Sequence, residues 1–141
     1  MASAAEEIGS VGAANYARGR KANGTLERVK ICVNLDSLTY GPNLLITTTD
    51  RELEKMVLDI HQDLGIPSQP RVIHQDDTMD SGPFKAAGAR TLYFNSRGHN
   101  ARTLPLNHRP EDRAETIFPE LIESSYRILL ELTRRMDKMR L

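Results

Sequence analysis

The sequence has no tryptophan, only one cysteine, few aromatics (5%) and no net charge, with 19 Lys and Arg balanced by 19 Asp and Glu over 141 residues. The lone Cys32 excludes an intrachain disulfide and a zinc ribbon built on thiolates. Balanced charge gives no electrostatic footprint for nucleic acid or an anionic membrane, so neither is expected as a partner. No apolar run approaches the ~18–20 residues needed to cross a bilayer. The first ten residues lack a basic start and an apolar stretch, so no signal peptide is visible. There is no internal repeat and no low-complexity linker. What is present, 39% hydrophobic and 27% charged residues, is the composition of one globular domain spanning 1–141.

Periodicity divides that domain into alternating elements. Small residues from Glu6 to Arg18 predict a helix, with Glu6 and Glu7 at its positive pole and Arg18, Arg20 and Lys21 at its negative one. Gly9 and Gly12 each cost ~1 kcal/mol against alanine inside a helix, which is tolerable where another backbone approaches closely. Strands are expected over Arg28–Leu35, buried on at least one face, and over Leu44–Thr48. Thr49-Asp50-Arg51-Glu52 has capping-box spacing ahead of Leu53, Met56, Val57, Ile60 and Leu64, with Gly65 as the stop. A third strand at Arg71–His74, a short helix at Phe84–Ala87 and a fourth strand at Arg90–Phe94 follow. A loop over 95–116 then leads to a long helix with Pro119 in its first turn and one face made by Phe118, Ile122, Ser125, Leu129, Leu132, Met136 and Met139. This order predicts an α/β fold with three αβα layers, a mixed and mostly parallel sheet flanked by helices. Ligands of such sheets gather in the loops at strand ends.

The candidate polar residues fall in those places. Glu6 and Glu7 read by themselves as a favourable helix-dipole pair. Asp36 directly follows a strand, where a carboxylate is either a ligand or an ordinary turn former. Asp76, Asp77 and Asp80 crowd one loop, and His108 lies in another. Without a thiolate set, carboxylate oxygen and imidazole nitrogen are the ligands of a catalytic zinc, and an adjacent Glu can act as general base on the metal's water. His61, His74 and His99 match no ligand pattern, and His61 falls on the polar flank of its helix.

Four segments resemble, in order, those of the co-catalytic zinc aminopeptidases, which include bacterial leucyl aminopeptidases, glutamate carboxypeptidases and glutaminyl cyclases. Glu6-Glu7-Ile8-Gly9-Ser10-Val11-Gly12 is similar to a Glu-Glu-Ile-Gly-x-x-Gly segment, and Asn34-Leu35-Asp36 to an Asn-Leu-Asp strand end. Asp80-Ser81-Gly82-Pro83-Phe84 resembles the Ser-Asp-x-x-Pro-Phe segment, and Asn107-His108-Arg109-Pro110-Glu111-Asp112 the Tyr-His-Thr-Pro-Glu-Asp loop before the last helix. The resemblance implies a peptide substrate and two zinc ions. It makes Glu6 the general base, Glu7 and His108 ligands of one ion, Asp36 a ligand of the other, and Asp80 part of the pocket lining. It also implies a His-x-Asp segment and a bridging Asp upstream of the glutamate pair, where this chain has five residues. The expectation is therefore the C-terminal portion of a zinc aminopeptidase-like domain, inactive alone, with an N-terminal half or a second protomer covering the exposed sheet. The alternative is a non-catalytic remnant of the same fold acting as a protein-interaction module.

Overall fold

The computed structural model describes residues 1, 4–39, 41, 43–67, 70–75, 79–97, 109–117 and 119–139. Its helices are α1 (Val11–Ala22), α2 (Arg51–Asp63), α3 (Gly82–Ala86) and α4 (Pro119–Met136), and its strands β1 (Ile31–Leu35), β2 (Asn43–Thr47), β3 (Arg71–Ile73) and β4 (Arg90–Arg97). The sheet runs β1-β4-β2-β3, with β1 parallel to β4, β3 parallel to β2, and β2 antiparallel to β4. Mixed pairing was expected, and the antiparallel seam lies at its centre.

Alternation along the strands sorts side chains between two helical layers. Leu44, Ile46, Leu92 and Phe94 face Leu53, Val57 and Ile60 of α2 and Ile128 and Leu132 of α4, making the main core. On the opposite face Cys32 packs with Ala17 of α1, Phe84 of α3, Leu26 and Ala89 in a smaller cluster. The result is the expected three-layer sandwich. β1 forms one edge of the sheet among the described residues, and its side chains are only part-buried, less than the sequence suggested.

Several boundaries moved, each for a local reason. Asp50, not Thr49, caps α2: its carboxylate accepts the Glu52 and Leu53 amides at 3.1 and 3.0 Å. Just before the cap, Thr48 anchors the segment to the sheet, its hydroxyl donating to the Thr91 carbonyl at 2.7 Å. The inward face of α4 includes Leu129, Leu132 and Met136, with Met139 just beyond, as expected, and adds Ile128; Ile122 is 51% exposed instead, and Phe118 lies outside the described residues. His61 is buried, at 2% exposure, in a cavity with Leu44, Ile66 and Ile128 rather than lying on a solvated flank. His74 is tied to α2, its ring nitrogen 3.0 Å from a Glu54 carboxylate oxygen.

One ion pair fastens the α2 start to the sheet. Arg90, the first residue of β4, reaches both Asp50 carboxylate oxygens at 2.6 and 2.7 Å and Glu52 at 2.9 Å. The guanidinium holds the Asp50 pKa at about 2, a bidentate, charge-assisted geometry on top of the cap.

Candidate active site

The glutamate pair does not open a continuous helix. Glu6–Ile8 form a 3-10 turn, and α1 begins only at Val11. Ala5, Gly9 and Ser10 all take left-handed backbone angles, φ 59°, 96° and 52°, which breaks the helical path on both sides of the pair. The kinked segment is held by α1 itself: the Val11 and Gly12 amides donate to the Ala5 and Ala4 carbonyls at 3.1 and 2.9 Å. Gly12 permits this, because a Cβ there would collide with the Ala4 backbone oxygen and nitrogen. The close backbone approach that its helix penalty suggested is therefore real. Glu6 is half-buried and Glu7 exposed.

Asp36 sits where β1 ends, beside the central strand. Its amide donates to the Phe94 carbonyl at 3.0 Å, and the Ser37 carbonyl accepts the Ser96 amide at 3.2 Å and hydroxyl at 2.6 Å. The carboxylate is held independently of that backbone. Tyr93 donates its hydroxyl to Oδ2 at 2.7 Å, Asn95 Nδ2 donates to the same oxygen at 3.3 Å, and the Ser37 hydroxyl donates to Oδ1 at 2.8 Å. Asn95 Nδ2 also donates to the Tyr93 oxygen at 2.8 Å, closing a ring around Oδ2. The strand expected over Arg90–Phe94 holds Tyr93 but stops before Asn95, so the two did not read as one polar face. Polar Thr91, Tyr93 and Asn95 alternating with apolar Leu92 and Phe94 were the available signal.

Asp80, half-buried before α3, lines a groove of about 540 Å³ together with Asn34 and Leu35 at the end of β1, Tyr16 of α1 and Phe84 of α3. The groove thus sets Asp80 beside the last residues of β1, while Asp36, the next residue, is not part of its lining. His108, Asp76, Asp77 and His99 lie outside the described residues. Among the described residues no three His, Cys, Asp or Glu side chains gather closely enough to hold a metal ion. The carboxylates are the right donor chemistry for zinc, but a catalytic zinc ordinarily takes three protein ligands, and the described residues do not supply that set.

The sequence model of peptidase family M28 matches residues 1–133, nearly the full length. The chain belongs to peptidase family M28. Solved structures agree in fold. A zinc aminopeptidase from Bacillus subtilis superposes with a TM-score of 0.77 at 21% identity, over 96% of this chain and 35% of that one. An aminopeptidase from Aneurinibacillus sp. strain AM-1 gives 0.70 at 21% identity, over 92% of this chain and 31% of that one. The LapA aminopeptidase of Legionella pneumophila gives 0.74 at 18%, over 92% and 37%. No curated protein sequence matches the chain. This M28 chain thus spans about a third of the length of its structural neighbours.

Proposed function

We propose that this M28 chain supplies part of the catalytic domain of a zinc-dependent metallopeptidase of the aminopeptidase type, acting on peptide substrates. The match of the family model over residues 1–133 carries the reading, and the zinc aminopeptidases among the structural neighbours support it. Glu7 and His108 are the residues assigned to one ion and Asp36 to the other. When bound, zinc supplies a Lewis acid and an activated water. The chain's own contribution to proton transfer is Glu6, a general base that takes a proton and returns it to the leaving amine. Asp80 lines the substrate side of the groove.

Neither ion reaches three protein ligands from this assignment, so the 141 residues alone are inactive, and the missing donors come from a further polypeptide segment. The groove along β1, an edge strand among the described residues, supports a partner there, either an N-terminal half of the fold or a second protomer. The test is hydrolysis of an aminoacyl nitroanilide after co-expression with the upstream portion of a family M28 aminopeptidase. Chelator-sensitive turnover that needs both pieces is expected. A stable complex with zinc bound but no turnover would instead favour the interaction module.

A further inference from the structure

We propose that two copies of this chain pair through the outer edge of β1, strand against antiparallel strand about a two-fold axis at Val33, joining their two four-stranded sheets into one. The pairing commits this edge to one occupant and does not rest on the assignment of the zinc ligands.

Three observations carry it. The first is the phase of the backbone. The Lys30 carbonyl accepts the Arg90 amide at 2.9 Å and the Asp36 amide donates to the Phe94 carbonyl at 3.0 Å, so the even-numbered residues of this segment turn their peptide groups to β4. The amides and carbonyls of Ile31, Val33 and Leu35 therefore point outward, where no strand lies among the described residues. Set antiparallel with Val33 against Val33 of a second copy, Ile31 meets Leu35 and Leu35 meets Ile31, each as a doubly hydrogen-bonded pair. This register matches all three outward residues among themselves and leaves none of their backbone groups unmet. The second is charge. In the same register Lys30 of each copy stands opposite Asp36 of the other, on the face that carries Cys32. Both residues are exposed, and opposite charges facing each other across a seam stabilise it. On the other face Leu35, 49% exposed, gains Ile31 of the second copy as its neighbour. The third is the contrast with the far edge of the sheet. β3 has three residues, opens on the exposed Arg71 and is followed by His74, which is tied to Glu54. A short strand with charges at its ends is a guarded edge, whereas β1 has five residues and no charged one.

The experiment is sedimentation equilibrium of the full 141-residue chain from micromolar to millimolar concentration, for wild type, Lys30→Asp, Asp36→Lys and an equimolar mixture of the two. A reversible dimer is expected for wild type. Each single variant sets like charges face to face twice and should raise the dissociation constant about tenfold or more. The mixture should recover the wild-type value, because each copy then offers the charge that the other needs; a variant that had merely lost its fold would not be rescued by its mate. In parallel, Asn34→Cys places its thiol opposite Cys32 of the second copy, where facing Cα atoms lie about 4.5 Å apart, within the span of a disulfide. Mild oxidation should then give a covalent dimer linked between positions 32 and 34. A chain that stays monomeric throughout overturns the proposal and leaves the peptidase reading standing, with an N-terminal half as the occupant of the edge. A dimer that ignores the charge variants, or that forms no such link, uses another surface and overturns it too. Open-ended assembly does the same, since a two-fold seam closes on itself.

Discussion

Replacing Asp50 by alanine removes two things at once, a helix cap and one half of a bidentate ion pair. The cap satisfies the Glu52 and Leu53 amides, and loss of such a cap costs about 1 kcal/mol. The Arg90 guanidinium first, and the two capping amides after it, lower the Asp50 pKa from 3.8 to about 2, and that depression, which includes part of the cap, corresponds to about 2 kcal/mol as an upper figure, since both side chains keep some contact with solvent. Because the folded value is the lower one, the pair's contribution is complete above pH ~4–5 and disappears as pH falls; roughly half survives at pH 3 and little at pH 2. Arg90 retains Glu52 in the variant, which offsets part of the loss. Urea unfolding followed by far-ultraviolet circular dichroism should therefore show Asp50→Ala destabilised by about 2–3 kcal/mol at pH 7, with the gap to wild type shrinking by about 1 kcal/mol or more at pH 2.5. A gap independent of pH would refute the electrostatic part. A gap below about 0.5 kcal/mol at neutral pH would refute the whole account, since that is the size of an ordinary surface substitution.

Other consequences can be checked on the same chain. Gly12→Ala forces the Ala4 backbone away from α1 and should destabilise by about 1–3 kcal/mol, with amide exchange at Val11 and Gly12 accelerated; unchanged protection there would show that the close approach does not matter. Phe94→Ala, at 1% exposure between the sheet and its two helices, should cost about 3–5 kcal/mol by chemical denaturation. In the reconstituted enzyme, Glu6→Gln should lower turnover by about 100-fold or more while zinc content by atomic emission stays the same. Equal loss of both would make Glu6 a ligand rather than a base.

Much of the architecture was legible because hydrophobic spacing is a local signal. Leu53, Val57 and Ile60 step at helical intervals and Leu92 and Phe94 at strand intervals, and each pair of neighbours reached the core as expected. What escaped depended on contacts between distant residues. No pattern within Thr49–Glu52 reveals that Arg90, on another element, would favour Asp50 as the cap. Nothing around Glu6 announces three left-handed residues, because that path is set by the Ala4 carbonyl reaching Gly12 across the kink. His61 looked solvated only because the layer that covers it comes from β2 and α4. Four short motifs marked Glu6, Glu7, Asp36 and His108 as candidates, whereas Tyr93 and Asn95 beside Asp36 were not legible, since no residue near them in sequence names Asp36 as their target.

The edge of β1 has a practical consequence. Ile31–Leu35 carries no charge and no proline, and Lys30 stands just outside it. Natural edge strands usually guard themselves against self-association with one or the other. Among the described residues no strand pairs with its outer side, so a second copy of the chain meets an edge strand that carries neither guard. A lysine in place of Leu35, 49% exposed at the end of the strand, supplies the missing charge without entering the core against which Ile31 and Val33 pack.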